Sequence, residues 1–452
     1  MKSDKLWVFL FFSVMALWLF VLISILRLSN TNVLVDREVD LSLPTLVALD
    51  FNLLYLFTSI FVFAVFLIGF DKVQRYQRKI KIMNLSYMKE EDLCSMIIPA
   101  RNEESVIRRT IVTCLQQTYR NIEILVICHN STDGTFEQAQ VEDRRVKAFN
   151  LNTKETGKAI ALNYGVEKAN GKYILVIDAD GLMSKDFIEN ALPLLDEPFV
   201  AVQGRCVPSN RNYNFVTKML SLEDDLWFAP FCTVRTIFGN RCPLAGTGFI
   251  IIKDILIKAG MFSNNLVDDY ELTYRLLRKK YSIAYAPLSV IYDEKPPTIE
   301  LMLRQRARWA KGFLSLINKR IATPNDILGN IYWLSPIGIL SGMVMFLVTA
   351  YASIHNLLFE YFPYTFSYLS LNLWYLFAGM IFILYVLVII KQHGRKGIKY
   401  AAYIPLYIIF SQYVLVITLR GFFVRSWGTT KTTHGFMVKE DKKTVDEVAR
   451  FK

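Results

Sequence analysis

Four short polar stretches in this chain have residue types and spacings that could do chemistry. In the first, Asp178-Ala179-Asp180 follows the apolar run 172–177, so two carboxylates alternate where a strand-like segment ends. Such a pair can hold a hard divalent cation, because Mg²⁺ takes one or two carboxylates and completes its shell with water and substrate phosphates. The same acids would also suit a solvated loop or a helix cap. In the second, Asp268 and Asp269 open the helical run YELTYRLLRKK. Acids in a first turn are favoured by the helix dipole, and one standing near a metal-bound phosphate could act as a general base. The third, Ala245-Gly246-Thr247-Gly248, precedes the apolar FIII. It would let a substrate approach the backbone, or it is a plain turn.

The fourth stretch is Arg304 to Trp309, RQRARW, just beyond Pro296 and Pro297. Prolines in that position suit a helix start. On a helix, Gln305, Arg308 and Trp309 stand at i, i+3 and i+4 and share one face. Arg306 points elsewhere, and Arg304 and Arg306 read as contacts for lipid headgroups. A purely interfacial helix explains the arginines and the tryptophan. It does not explain why Gln305 and Arg308 flank Trp309 on a common face.

These residues need a scaffold, and residues 93–177 supply one. Apolar runs at 93–100, 122–127, 145–150 and 172–177 alternate with helical patterns at 105–117, 133–139 and 158–169. This alternation predicts an α/β domain with a parallel sheet and helices on both faces. Ligands of such sheets bind beyond the carboxyl ends of the strands. The loops there are polar: Pro99 to Glu104, His129 to Thr135, and Asp178 to Gly181. Neither GxGxxG nor GxxxxGK[ST] occurs, so no dinucleotide fingerprint or P-loop is signalled.

The bulk composition places this domain beside a membrane. Of 452 residues, 53% are hydrophobic and 20% charged, with a mean hydropathy of +0.29. That combination fits spanning helices joined to one sizeable water-facing domain. Runs at 6–26, 49–70, 331–352, 373–390 and 400–419 are near the roughly 20 residues that cross a bilayer. The first exceeds a signal-peptide core and has no clean cleavage site after it. The net charge of +12 gathers beside these runs, at 71–79 and 391–397. The positive-inside rule therefore puts the middle domain in the cytoplasm, and nucleic acid is not implied. The spans carry almost no ionisable residues, which argues against a transporter. The six cysteines form no CxxC pair and the four histidines are scattered, so reduced core thiols are expected and a zinc site is not.

Taken in order, the motifs resemble the inverting family 2 glycosyltransferases, specifically the membrane-embedded processive synthases of cellulose, chitin, hyaluronan and poly-N-acetylglucosamine. The residues that carry the resemblance are Pro99-x-x-Asn102-Glu103, Ser131 to Thr135, Gly157 to Asn163, Asp178-Ala179-Asp180, Asp268-Asp269 and Gln305 to Trp309. It extends from residue 93 to about 435. It implies a Rossmann-like mixed sheet of GT-A type, using Mg²⁺ or Mn²⁺ and a UDP-sugar. By that resemblance Pro99, Glu103, Asp133, Lys158 and Asp178 hold the donor nucleotide, and Asp180 holds the metal. Asp269 is the base, preceded here by Asp268 where the family has Glu. Gln305, Arg308 and Trp309 lie at the pyrophosphate and acceptor, and Trp427 and Thr430 belong to a loosely matched gating segment.

The implied organisation is two transmembrane helices (1–70), a cytosolic catalytic domain (71–325), C-terminal transmembrane helices (326–420) and a basic tail (421–452). Three crossings after the domain would leave the tail outside, unless 400–419, which contains Pro405, does not span. The expected reaction is processive transfer of an N-acetylhexosamine to a β-linked polysaccharide in the cell membrane, among membrane lipids. The alternative is addition of a single sugar to a lipid or glycan acceptor.

Overall fold

A computed structural model describes residues 63–82, 92–195, 198–318 and 368–411. Residues 69–323 cluster into one compact unit, and residues 63–68 and 368–411 belong to a second.

The first unit is organised on one sheet of eight strands. These are β1 (Cys94–Ala100), β2 (Ile122–His129), β3 (Val146–Leu151), β4 (Tyr173–Val176), β5 (Leu182–Met183), β6 (Phe199–Pro208), β7 (Phe249–Ile252) and β8 (Ser282–Asp293). Their order is β3-β2-β1-β4-β7-β6-β8-β5. The helices used below are α1 (63–82), α2 (Ile107–Leu115), α3 (Thr135–Ala139), α4 (Lys158–Lys168), α5 (Phe187–Ala191), α6 (Phe215–Glu223), α7 (Ala229–Gly239), α8 (Lys253–Lys258), α9 (Asp268–Arg278) and α10 (Ile299–Asn318).

The apolar runs become strands because they are covered on both faces. All of β2 is buried, as is all of β1 except Pro99. Met96, Ile98, Ile124, Val126 and Leu175 pack with Ile107, Ile111 and Cys114 of α2 into one core. Burial on both faces explains why these strands lack a polar alternation. The cysteines are free thiols, five of them buried and Cys206 half-buried.

The sheet departs from the parallel arrangement that the alternation predicts. Strands β1 to β4 are parallel, but β7 runs antiparallel to both β4 and β6. The short β5 is antiparallel to β8. The reversal of β7 has a consequence for the site: the turn entering β7 lies beside the carboxyl end of β4. Strands β6 and β8 pair in parallel with register shifts at Phe199/Ala201 and Gly204/Arg205. Such irregularities break the period of two by which strands are read from sequence.

The basic segment at 71–79, expected to flank a membrane span, packs on the first unit. From residue 69 onward α1 lies on the first unit. Gln77, 1% exposed, donates to the Asn190 carbonyl at 2.9 Å and accepts from the Leu288 amide at 2.9 Å. Lys81 pairs with Glu189 at 3.0 Å.

In the second unit a helix spans Tyr368–His393, and short helices follow at Ile398–Ala401 and Ile404–Phe410. Pro405 lies in the first turn of the last of these. Among the described residues, no helix is long and apolar enough to cross a membrane. The expected spans at 6–26 and 331–352, most of 49–70 and the tail 421–452 lie outside the described residues.

Candidate active site

The site assembles where β1, β2 and β4 end and β7 begins. After β4, Ala179 is buried, with 4% exposure, while Asp178 and Asp180 are half-exposed. Lys158 opens α4, and its Nζ donates to Asp178 Oδ1 at 2.5 Å and to the Gly246 carbonyl at 2.9 Å. Burial opposes charge on Lys158, but Asp178, Asp268 and Asp269 outweigh it and hold the ammonium above its ordinary range.

The turn before β7 is a working part of the site. Gly246 and Gly248 have φ of 72° and 63°, a left-handed backbone that glycine adopts without strain. A Cβ on Gly246 would stand 3.1 Å from Asp269 Oδ2 and 3.6 Å from Lys158 Nζ, so the bare backbone threads between these two groups. Thr247 Oγ1 accepts from the Asp178 amide at 3.0 Å. Gln203, fully buried in β6, locks the turn. Its Oε1 accepts from the Ala245 amide at 2.8 Å, and its Nε2 donates to the Thr247 carbonyl at 3.0 Å.

Asp268 and Asp269 begin α9, with Asp268 only 7% exposed. Burial raises both carboxyls. Asp269, which also feels Asp268, is pushed up to about 7, although the Tyr270 amide donates to it at 2.8 Å. Arg308 faces the same acids: burial lowers its pKa, while Asp178, Asp268 and Asp269 favour its charge. Helix α10, which carries Arg308, is clamped to α9. The Tyr270 and Phe313 rings meet at 4.7 Å, and a Cβ on Gly312 would come within 2.7 Å of Val267 Cγ1. This close approach holds α9 against α10.

At the far side, the loops after β1 and β2 are laced together. Asn102 (φ 58°) accepts from the Thr132 amide at 2.8 Å. Asp133 Oδ1 accepts from the Thr135 amide at 3.1 Å and from its hydroxyl, and Oδ2 from the Glu104 amide at 3.4 Å. The Gly134 amide donates to Glu104 at 3.1 Å. The Glu103 amide donates to Thr135 Oγ1 at 2.8 Å. Pro99 is half-buried in β1, opposite Ile127. Asp133 thus organises the loop on which it sits, beyond the nucleotide contact expected of it.

The fold therefore gathers Lys158, Asp178, Asp268, Asp269 and Arg308 around one turn. Asp180 borders them, and Pro99, Glu103 and Asp133 lie along the neighbouring strand ends. Gln305 and Trp309 are half-buried on α10; Trp427 and Thr430 lie outside the described residues. One reading is corrected. Arg306, assigned to headgroups by its helical angle, is 7% exposed and sits over the Trp309 ring at 4.4 Å. Gln203 is an organiser that the sequence reading missed; Thr247 and Glu104 lie in stretches it singled out, without a role of their own. The one signal for Gln203 was a polar residue directly after the apolar run Phe199 to Val202.

Among the described residues, no three His, Cys, Asp or Glu side chains cluster to cage a metal. A cation shared with a diphosphate needs only one or two protein carboxylates. Asp178 and Asp180, both half-exposed just beyond the end of β4, fit that need.

The site thus joins a mixed sheet with acids at its strand ends, a lysine at a helix start and an arginine on the helix beside them. Residues 92–312 match the family described as "Glycosyltransferase like family 2", and this stretch is a domain of that family. The chain is similar to "Probable glycosyltransferase YdaM" of Bacillus subtilis, with 27% identity over 79% of this chain and 88% of that protein. It is similar to a beta-monoglucosyldiacylglycerol synthase of Nostoc sp., 31% identical over 48% of each chain. It is also similar to poly-beta-1,6-N-acetyl-D-glucosamine synthase of Staphylococcus aureus, 26% identical over 48% of this chain and 54% of that one. The chain thus spans about half the length of these last two relatives. Among solved structures, the mannosyltransferase PcManGT of Pyrobaculum calidifontis, in complex with GDP-Man and Mn²⁺, aligns at 18% identity. That alignment covers 79% of this chain and 98% of that chain, with a TM-score of 0.47.

Proposed function

We propose that the enzyme transfers a sugar, an N-acetylhexosamine, from a UDP-sugar to a growing β-linked polysaccharide, processively and with inversion. The observation that carries this reading is Asp269, a carboxyl pushed up to about 7 beside the Gly246 turn, Lys158 and Arg308. A base is most useful when its pKa lies near the working pH. Asp269 takes the proton of the acceptor hydroxyl while that oxygen attacks C1 of the donor sugar. The bonding pair of the C1–O link leaves with the diphosphate, and the configuration at C1 inverts. No covalent enzyme intermediate is required. Lys158 and Arg308 face the charge that develops on the leaving group. A divalent cation held by Asp180 and Asp178 would supply further positive charge there. Pro99, Glu103 and Asp133 line the strand ends for the nucleoside, while Gln305 and Trp309 meet the acceptor, the indole stacking on the sugar's apolar face.

The apolar runs and their basic flanks support a multi-pass protein in the cell membrane with this domain on the cytoplasmic side. The relative named as a poly-N-acetylglucosamine synthase, together with Gln305, Arg308 and Trp309, favours processivity. A second reading, single addition to a lipid, draws support from the relative named as a glucosyldiacylglycerol synthase.

The test incubates the full chain in nanodiscs with a panel of UDP-sugars, β-linked N-acetylglucosamine oligosaccharides or diacylglycerol, and Mg²⁺ or Mn²⁺. UDP release with a long polymer is expected, and EDTA should abolish it. A single-sugar lipid adduct would establish the second reading, and absence of transfer from every donor would refute both.

A further inference from the structure

Outside the residues given roles above, buried charge concentrates at one turn. Helix α6 runs into α7 through a π-helical turn at Asp224–Phe228. Such turns are rare and often mark functional sites. Glu223, Asp224 and Asp225 are consecutive, and on a helix they fan over about 200°. Each consequently meets a cation from a different part of the unit. Glu223 Oε1 lies 3.1 Å from Arg306 Nη2, Asp224 Oδ2 lies 2.5 Å from Lys295 Nζ, and Asp225 Oδ2 lies 2.7 Å from Arg211 Nη1.

The first pair differs from the others in what it touches next. The side chains of Arg306 and Glu223 are each 8% exposed, so water screens their attraction little. The guanidinium of Arg306 lies 4.4 Å from the centre of the Trp309 ring, a cation–π contact. Arginine is long and flexible, and by itself it would not hold an indole in one orientation. Anchored by a buried carboxylate from another helix, its planar group becomes a fixed platform.

We propose that Glu223 is a positioning residue for the acceptor: it fixes Arg306, and Arg306 presets the Trp309 ring on which the acceptor sugar stacks. This rests on the reading of Trp309 given under Proposed function. It explains why Arg306 stands inside the RQRARW stretch, and it makes the α6–α7 turn part of the acceptor side of the enzyme. Glu223 touches no substrate; its effect passes through two side chains.

The experiment compares Glu223→Gln with Asp225→Asn, using the donor and acceptor that the wild type accepts in the panel above. Asp225→Asn unpairs an equally buried ion pair in the same turn, one made with Arg211 rather than Arg306. Expected for Glu223→Gln is a rise of about tenfold in acceptor KM, with UDP affinity and UDP release to water within twofold of wild type. Asp225→Asn should leave acceptor KM at the wild-type value. An unchanged acceptor KM in Glu223→Gln overturns the proposal. So does an equal rise in both variants, which would mark a general loss of packing. If Glu223→Gln does not fold, Arg306→Lys decides, because it keeps the charge opposite Glu223 but removes the planar platform; a wild-type acceptor KM there overturns the proposal as well. A wild type that transfers no sugar refutes the functional reading itself, an outcome distinct from a wild type that transfers and a Glu223→Gln that matches it.

Discussion

The Asp269 carboxyl, pushed up to about 7 by burial and by Asp268, makes a specific demand on the pH dependence of turnover. An ordinary aspartate would be fully ionised from pH 6 to pH 8, and the rate would be flat across that range. With a midpoint near 7, only about one tenth of the enzyme carries the ionised base at pH 6, and about nine tenths at pH 8. The kcat should therefore rise about tenfold over those two units in steady-state assays of UDP release at saturating substrates. Asp269→Asn should lower kcat by about 10²- to 10⁴-fold, the usual contribution of a general base, and leave UDP affinity nearly intact. The same carboxyl bears on stability. Its pKa is raised in the folded state, so its stabilising effect is complete below the ordinary aspartate range and is lost as pH rises through about 7. Asp269→Asn should accordingly raise Tm at pH 8 and leave it unchanged at low pH. A flat kcat profile from pH 6 to 8 together with wild-type turnover in Asp269→Asn would refute the assignment of the base.

Two further outcomes follow from contacts in the site. Lys158→Met removes the partner of Asp178 and the Gly246 carbonyl; UDP binding by calorimetry should weaken about tenfold, as loss of a charge-assisted bond implies. Because Lys158 favours ionisation of Asp269, the same variant should move the kcat midpoint upward, and a downward move would contradict the geometry. Gly312→Val places carbon where a Cβ alone would come within 2.7 Å of Val267 Cγ1, so α10 must retreat from α9. Overpacking of this kind costs about 1–3 kcal/mol. It should lower both Tm and kcat, whereas a normal kcat would show that the clamp does not align Arg308 with Asp269.

The local polypeptide determines much of this protein. Strands β1, β2 and β4 are readable because continuous apolar runs need cover on both faces, and their ends announce Asp178, Asp180 and the loop of Asp133. The start of α10 follows from Pro296 and Pro297, since proline disfavours helical backbone before it and suits an early helix position. Those readings depend only on neighbours in sequence. Tertiary structure decided the rest. The antiparallel entry of β7 is a matter of sheet topology, and it alone brings the Gly246 turn between Lys158 and Asp269, 88 and 23 residues away along the chain. Gln203 gains its meaning from carbonyls on that same turn. A helical wheel separates Arg306 from Gln305 by about 100° yet leaves it one turn before Trp309, within reach of that ring. It cannot say that a buried Glu223, from a helix more than 80 residues earlier, waits on that side. Spacing along a helix fixes the direction in which a side chain leaves the axis. What it meets there is set by the packing of distant elements, and that packing turned a presumed headgroup contact into a buried ion pair against Trp309.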